Sequence, residues 1–469
     1  MATTTTAAKA SPQSAAINLL NTIIGAGMLA MPYAIRSDGI ILGVIVIIVS
    51  ACTSSFGLYL QGKCSKYVKS GDASFFALAQ LTYPQLSVVF DLAIAIKCFG
   101  VGISYLVVIG DLVPKICQSL MNDSFLDQHE VLLERNFWIT FFMILIVVPL
   151  SFLKKLDSLK YASMVALSSV VYLVILVFIH FLKNDIEDKG PVRVFKPYTI
   201  SSIFASFPIF VFAYTCHQNM FSLVNELEDK SSRNINKVIG SAIGIAMSLY
   251  IVVGLTGYLS FGDNVEPNVI VGYSHAISST IGRIAIVILV MLSYPLQCHP
   301  ARASINHIIH YFYQVKKQIQ SDASILNGQH QPQSHQSDES DQLIDSDLQD
   351  GLTEEGNITA VSPLKGSKFI IITSIILILS YLIAISVTSL AHVLAFVGST
   401  GSTSISFILP GIFGYKLIGS EYVDETTGSF EHIPRGTKIV KYLGFALSVW
   451  GLLVMIVCLS ATIFLGATH

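Results

Sequence analysis

Apolar runs of about 20 residues, separated by short polar segments, dominate this chain. A helix of that length spans the hydrocarbon core of a bilayer, where only helices or closed barrels satisfy every backbone polar group. A window of about 19 residues predicts an all-α polytopic membrane protein with eleven transmembrane helices, at residues 15–35, 40–61, 88–113, 137–153, 161–182, 203–224, 238–259, 276–296, 369–390, 393–417 and 439–464.

The charge content supports this class. Charged residues make up 12% of the 469 residues, against about 25% in soluble proteins, which excludes an ordinary soluble enzyme. The net charge of −2 gives no indication of a nucleic-acid partner. No nucleophile, metal or nucleotide motif occurs on a plausible scaffold, so we expect that the protein is not an enzyme.

Lysine and arginine predict the orientation. If the N-terminus is cytosolic, the cytosolic segments hold 19 of the 28 basic residues and the opposite side holds seven, with Lys97 and Arg283 inside spans. This asymmetry favours a cytosolic N-terminus. The sequon at Asn122 then lies outside the cytosol, between the third and fourth spans, and we expect Asn122 to be glycosylated.

The first span is predicted to be broken. Gly25 and Gly27 lie near its midpoint and Pro32 follows five residues later. These residues weaken a helix, and lipid offers no replacement hydrogen bonds. Free carbonyls at such a break suit a cation or an ammonium group, and free N–H groups suit a carboxylate, which together describe an amino acid. The alternative is that the glycines only permit close packing of a neighbouring helix.

The sixth span changes character halfway. An apolar first half containing Pro208 gives way at Tyr214 to a polar cluster that includes His217, Gln218 and Asn219. Polar groups at membrane depth are costly and usually face a cavity. Interrupted helices in first and sixth position indicate an inverted repeat of five plus five spans, with the binding site between them. His217 is either a satisfied structural histidine or a group that binds substrate or a proton.

The two breaks define the predicted substrate-binding residues, which are Ile24, Gly25, Ala26, Gly27, Ala213, Tyr214, Thr215 and His217. In the eighth span, Ser293 comes just before Pro295 and could offer a hydroxyl to a hard cation such as Na⁺, unless it bonds back to its own helix. The small residues at 398–404 of the tenth span predict a close-packing face.

The chain divides into a transporter core and three flanking segments. We predict a disordered cytosolic tail (1–14), the core (15–417, with repeats at about 15–182 and 203–417), a cytosolic loop (418–438), and an eleventh helix with a short non-cytosolic C-terminus (439–469). Residues 318–364 hold nine acidic residues and no Lys or Arg. This composition is too polar to offset its ordering entropy, which predicts a disordered cytosolic loop within the core.

Four segments resemble the amino acid/auxin permease family. They are Asn21-x-Ile23-x-Gly25-x-Gly27, Tyr214-x-Cys216-His217, Ser293-Tyr294-Pro295 with Pro300-x-Arg302, and Val397-Gly398-Ser399-Thr400-Gly401-Ser402-Thr403. The stretch FAYTCHQNMFSLVNEL is similar to the fungal vacuolar amino-acid exporters, and the first and tenth spans also resemble the sodium-coupled neutral amino-acid transporters. This resemblance implies eleven spans in the bundle fold of the bacterial leucine transporter.

The resemblance also implies a coupling ion. In the sodium-coupled branch, an asparagine before the Gly-x-Gly break and a hydroxyl in the eighth span serve the Na⁺ site, which implies a cation site at Asn21 and Ser293. The vacuolar branch is driven by the proton gradient, which implies His217 or His299 as titrating groups.

Two basic residues lie inside spans. Lys97 either occupies a cation site and removes the need for Na⁺ or, as the simpler interpretation, extends towards the cytosolic interface or pairs with Asp91. Arg283 is near the outer end of the eighth span and is expected to extend to the interface in the same way.

Within the acidic loop, Glu339, Leu343 and Ile344 resemble an acidic dileucine sorting signal. This predicts a sorting adaptor as a partner and an endolysosomal or vacuolar membrane, with the plasma membrane as the alternative.

Together these features predict a monomeric secondary active transporter. It would carry neutral amino acids, or a broad range of them, by alternating access, with H⁺ or Na⁺ as the coupling ion and no other cofactor. The alternatives are a plasma-membrane Na⁺/neutral amino-acid symporter and an amino-acid sensor that signals through its cytosolic loop.

Overall fold

The computed structural model describes residues 11–153, 160–326, 366–422 and 433–466, which are mostly helical. The helices are α1 (Pro12–Ile23), α2 (Ala26–Leu29), α3 (Met31–Asp38), α4 (Ile40–Cys64), α5 (Phe75–Thr82), α6 (Ser87–Leu120), α7 (Asp123–Gln128), α8 (Arg135–Phe142), α9 (Val148–Ser151), α10 (Lys160–Lys183), α11 (Ile200–Ala213), α12 (His217–Glu226), α13 (Ser232–Phe261), α14 (Ile277–Leu326), α15 (Gly366–Ser386), α16 (Leu390–Val397), α17 (Leu409–Leu417) and α18 (Arg435–Gly466).

The chain is a polytopic membrane protein. Nine helical stretches in the described ranges are long and apolar enough to cross a bilayer. The first predicted span is not among them because it is divided into α1, α2 and α3. The fourth predicted span is a shorter apolar stretch, Arg135–Ser151, in which a π-helical turn at Met143–Val147 joins α8 to α9.

The first interruption falls where the glycines predict it. α1, which Ser11 caps through a bond from the Ser14 N–H, ends at Ile23. Gly25 has a φ of −159° and a ψ of −145°, outside the helical region, and the helix resumes at Ala26. The sixth span is interrupted in the same manner, because α11 ends at Ala213 and α12 begins at His217.

The tenth span is wound irregularly. Two π-helical turns, Gly398–Ser402 and Ser404–Ile408, join α16 to α17, and we call residues 390–417 the tenth segment. A Cβ on Gly401 would lie 2.6 Å from the backbone nitrogen of Lys97 on α6, and a Cβ on Gly398 would overlap the backbone of Pro208 on α11. The predicted close-packing face is confirmed, and it brings the tenth segment against α6 and α11.

Among the nine stretches long enough to cross a bilayer, the one that contains α6 is the most enclosed, with 83% of its most apolar part buried. α18 lies at the periphery, with 28% buried. α14 packs along α6, where a Cβ on Gly102 would lie 3.0 Å from the ring of Tyr294. The hydroxyl of Tyr294 in turn lies 2.5 Å from Ser380 Oγ of α15. These contacts hold α6 at the centre of the bundle.

α14 is longer than predicted. It continues through Pro295 and Pro300 to Leu326, so its last turns occupy the first residues of the stretch 318–364 that we predicted to be disordered. The remainder of that stretch, including Glu339, Leu343 and Ile344, lies outside the described residues. The same holds for residues 1–10 of the predicted tail and 423–432 of the predicted loop, whereas α1 already begins at Pro12.

Two basic residues, Lys97 and Arg283, do not extend to the membrane interface as expected. Arg283 is fully buried, and its guanidinium donates to the carbonyls of Tyr273 (2.5 Å) and Ile270 (3.3 Å). Lys97 is 3% exposed, and Asp91 pairs instead with His307 (3.2 Å). Extension to the interface assumes a helix face in contact with lipid, and both residues face the protein interior.

Candidate functional site

The two interrupted helices touch at their breaks. A Cβ on Gly27 would lie 2.9 Å from both the Cα and the Cβ of Ala213, a distance that real side chains do not reach. Gly27 is therefore needed for the backbone of the first break to approach the second. Both predicted interruptions belong to a single site.

Tyr250 of α13 bonds to both breaks. Its hydroxyl lies 2.8 Å from the carbonyl oxygen of Ile23 and 2.8 Å from that of Ala213, the last residues of α1 and α11. A phenol has one hydrogen to donate, so the two carbonyls share it. The side chain is fully buried. No sequence pattern indicates this role, because Tyr250 lies in an ordinary apolar run.

Tyr105 of the central helix α6 faces the first break. Its hydroxyl oxygen lies 3.8 Å from the position that a Cβ on Gly25 would occupy, and the side chain is 6% exposed. The prediction missed this residue also, since contact between the third and first spans depends on tertiary packing. Gly25, unlike Gly27, has room beside it.

Unpaired backbone donors remain at both breaks. The N–H groups of Gly25 and Cys216 donate to no carbonyl or side chain among the described residues. α12 starts immediately afterwards, at His217, and the first N–H groups of a helix lack intrahelical acceptors. Donors at a helix start favour a carboxylate, whereas the carbonyls of Ile23 and Ala213 favour a positive group. The site thus offers complementary partners for both charged ends of an amino acid.

Two predicted side chains at the second break, those of Tyr214 and Thr215, are buried or already hydrogen-bonded. Tyr214 is fully buried, packs edge-on against Tyr250 at 5.1 Å, and its hydroxyl has no hydrogen-bond partner among the described residues. Thr215 donates its hydroxyl to the carbonyl of Val211 (2.7 Å) in the preceding helix α11.

Both ring nitrogens of His217 are engaged. Nε2 lies 3.1 Å from the carbonyl of Ser54 on α4, and Nδ1 lies 3.0 Å from Ser406 Oγ on the tenth segment. Nε2 donates to this carbonyl, whereas the direction of the bond between Nδ1 and Ser406 depends on the tautomer of the ring. These bonds fasten α12 to α4 and to the tenth segment, as the structural alternative predicts, and the substrate- or proton-binding alternative stays a prediction.

The residues predicted to hold a cation are not joined by any bond. Asn21 near the end of α1 and Ser293 on α14 are both half-buried, and neither side chain forms a hydrogen bond with a described residue. Ser293 therefore does not bond back to its own helix. His299, the other predicted titrating group, is exposed. The cation site remains a prediction.

A crevice of about 160 Å³ separates α1 from α12 on the side of the molecule where α1 begins, which we call the N-terminal side. Its polar lining includes Asn18, Ser222 and Glu226. Asn219 on α12 donates to Thr22 Oγ1 on α1 across 3.1 Å. This bond is one turn or less from the breaks, so the crevice points towards the site.

The opposite side is closed by a polar network. Arg193, before α11, pairs with Asp263, after α13, at 2.6 Å. The hydroxyl of Tyr258 accepts the Arg193 backbone N–H (2.9 Å) and donates to Asp263 (3.2 Å). Arg36 at the end of α3 and Arg193 both lie over the ring of Tyr198, at 4.7 and 4.4 Å. The site is therefore shielded on one side and approached by a crevice on the other.

A family model described as transmembrane amino acid transporter protein matches residues 8–457, which include both breaks and every helix at the site. The chain belongs to this family. The resemblance noted from the four segments is confirmed by this match.

The family relatives include named transporters. Vacuolar amino acid transporter 6 of Saccharomyces cerevisiae is 49% identical over 463 residues, covering 97% of this chain and 99% of the relative. A more distant relative, sodium-coupled neutral amino acid transporter 7 of Danio rerio, is 28% identical and covers 59% of this chain and 60% of its own length.

A solved structure shows the same fold. The crystal structure of MhsT in complex with L-phenylalanine superposes with a TM-score of 0.59, covering 95% of this chain and 98% of MhsT, at 13% sequence identity. At that identity the likeness concerns the fold alone. The predicted leucine-transporter type of bundle is thereby supported as an architecture.

Proposed function

We propose that the protein is a secondary active transporter of amino acids, either neutral ones or a broad range, that works by alternating access. The observation that carries this proposal is the contact between the two interrupted helices, where the N–H groups of Gly25 and Cys216 lack acceptors and the carbonyls of Ile23 and Ala213 converge on Tyr250. A zwitterion presents the matching carboxylate and ammonium groups.

The proposed architecture has eleven transmembrane helices. The nine long helical stretches, together with the interrupted first span and Arg135–Ser151, would give this number. Ten of them would form the inverted repeats at about 15–182 and 203–417, because the breaks fall in first and sixth position. α18 would be the eleventh helix outside the repeats, in keeping with its peripheral packing.

Alternating access is supported by the asymmetry of the two sides. The crevice between α1 and α12 approaches the site from the N-terminal side, while the Arg193–Asp263 pair closes the other side. Both the Asn219–Thr22 bond and the Arg193–Asp263 pair are formed in this structure, and in the proposed cycle each of them breaks when its own side opens. The coupling ion would be H⁺ or Na⁺, with Asn21 and Ser293 as the proposed Na⁺ ligands.

The proposed location is a vacuolar or endolysosomal membrane with the N-terminal side in the cytosol. The vacuolar names of the relatives and the distribution of basic residues support this location. Substitution of Glu339, Leu343 and Ile344 should move a fluorescently tagged protein to the plasma membrane. Retention in the vacuolar membrane would refute the sorting role of these residues.

The function is tested by uptake into proteoliposomes. The purified protein would be given a panel of labelled amino acids, with a pH gradient and a Na⁺ gradient imposed separately. We expect uptake above that of protein-free liposomes and further acceleration by one gradient. Binding without flux under either gradient would refute transport and would favour the sensor.

A further inference from the structure

Lys97 lies inside the bundle against the tenth segment, which contacts the second break. It is 3% exposed on the enclosed helix α6, and a Cβ on Gly401 of the tenth segment would lie 2.8 Å from its Cβ. The tenth segment reaches the second break through Ser406, whose Oγ donates to Thr215 Oγ1 (3.3 Å) and lies 3.0 Å from His217 Nδ1. The ammonium of Lys97 forms no hydrogen bond or ion pair with any residue in the described ranges.

The groups that face Lys97 provide no negative charge. Cys98 on α6 and Cys216 at the break are thiols, and His217 has both nitrogens engaged. The tenth segment carries no acidic residue between 390 and 408, and its titratable group there is His392. α14 carries no acidic residue between 277 and 321. Its titratable groups there include Tyr294, Cys298, Arg302 and His307, and His307 already pairs with Asp91.

An isolated ammonium is expensive at membrane depth unless an opposite charge or hydrogen-bond acceptors accompany it. The described surroundings of Lys97 supply neither. The unpaired N–H of Cys216 at the second break, however, is where a substrate carboxylate would bind. Arrival of that carboxylate would stabilise a proton on Lys97, and by reciprocity a proton on Lys97 would strengthen carboxylate binding.

We propose that Lys97 is the proton-binding group of the transport cycle, neutral when the site is empty and protonated when an amino acid occupies it. This inference rests on the proposed transport function. The Nζ lone pair takes one proton from the acidic compartment as the substrate binds, and it releases that proton on the other side as the substrate leaves. One proton therefore crosses the membrane with each amino acid, and no Na⁺ is required.

The test compares Lys97→Gln with wild type in proteoliposomes, using a labelled mixture of the protein amino acids. The matched control is Lys115→Gln, which removes a half-exposed lysine from the same helix. With one proton per amino acid, a gradient of one pH unit raises the accumulation ratio of the wild type and of Lys115→Gln by up to about tenfold. Lys97→Gln should keep exchange of internal for external amino acid but should show an accumulation ratio of about one.

Full acceleration of Lys97→Gln by the pH gradient would overturn the proposal. Loss of both exchange and binding in a correctly inserted Lys97→Gln would also overturn it, because Lys97 would then be a substrate ligand. Transport by wild type that ignores the pH gradient would refute proton coupling while leaving the transport function intact. Absence of wild-type transport would instead refute the proposed function.

A second measurement is made on the wild type, with Lys97→Met for comparison. Proton uptake on amino-acid binding is obtained from calorimetric titrations of the wild type in buffers of different ionisation enthalpy. We expect close to one proton per bound amino acid, and none with Lys97→Met, which keeps most of the side-chain stem. Zero proton uptake in the wild type, with binding observed, would overturn the proposal.

Discussion

Replacement of Tyr250 by phenylalanine tests the connection between the two breaks. The change removes one buried hydroxyl that lies 2.8 Å from the carbonyls of Ile23 and Ala213, and it leaves the ring. Because the hydroxyl donates one hydrogen at a time, the loss is that of one buried hydrogen bond, and a buried acceptor without a donor costs about 1–3 kcal/mol.

If this cost falls on the conformation in which the breaks are joined, the maximal transport rate falls by roughly 5- to 150-fold. The assay is the initial rate of amino-acid exchange at saturating substrate, together with the thermal unfolding of the purified protein. We expect Tyr250→Phe to lower both the rate and the unfolding temperature.

Tyr214 supplies the matched control for stability. It is equally buried and lies against Tyr250, but its hydroxyl has no partner in the described part of the chain. Tyr214→Phe removes an unsatisfied polar group, so the unfolding temperature should stay constant or rise. Equal destabilisation by both substitutions, or by Tyr214→Phe alone, would refute the role assigned to the Tyr250 hydroxyl.

Three further predictions concern the first break, the Arg193–Asp263 pair and the sequon at Asn122. Valine at Gly25 or Gly27 should abolish transport without preventing membrane insertion. Alanine should be tolerated far better at Gly25 than at Gly27, because only Gly27 lacks room for a Cβ. Equal uptake by the two alanine variants would contradict this expectation. Removal of the Arg193–Asp263 pair, whose side chains are 29% and 8% exposed, should favour opening of that side. Hydrogen exchange near Asp263 should then be faster, whereas unchanged exchange would show that the pair does not hold this side closed. Asn122→Gln should remove a glycan-dependent shift in gel mobility, and a shift that persists would place the glycan elsewhere.

The breaks were predictable because their causes are local. Glycine, proline and polar side chains at membrane depth signal a weak helix whatever surrounds them, and the interruptions lie at Gly25 and at residues 214–216. The extent of α14 was not predicted, since the eighth span was predicted to end at residue 296 and the helix in fact continues through Pro295 and Pro300 to Leu326. Neighbouring helices can supply what a proline removes.

The partners of the breaks were not predictable from local pattern. Tyr105 and Tyr250 lie in apolar runs like many others, and their contacts with the first span arise only when distant helices pack. The same limitation explains Lys97 and Arg283, because the number of apolar neighbours in sequence does not tell which helix face is covered by protein. The bonds of His217 to Ser54 and Ser406 were unpredictable for the same reason, because both partners lie on distant helices.

The most direct test of the proposed substrate site is a structure of the protein bound to an amino acid that it transports. We expect the substrate to lie between the two breaks, with its carboxylate within hydrogen-bond distance of the N–H of Gly25 or Cys216. Its ammonium group should point towards the carbonyls of Ile23 and Ala213. Substrate bound elsewhere, with the breaks unoccupied and both N–H groups bonded to protein, would contradict the proposed site.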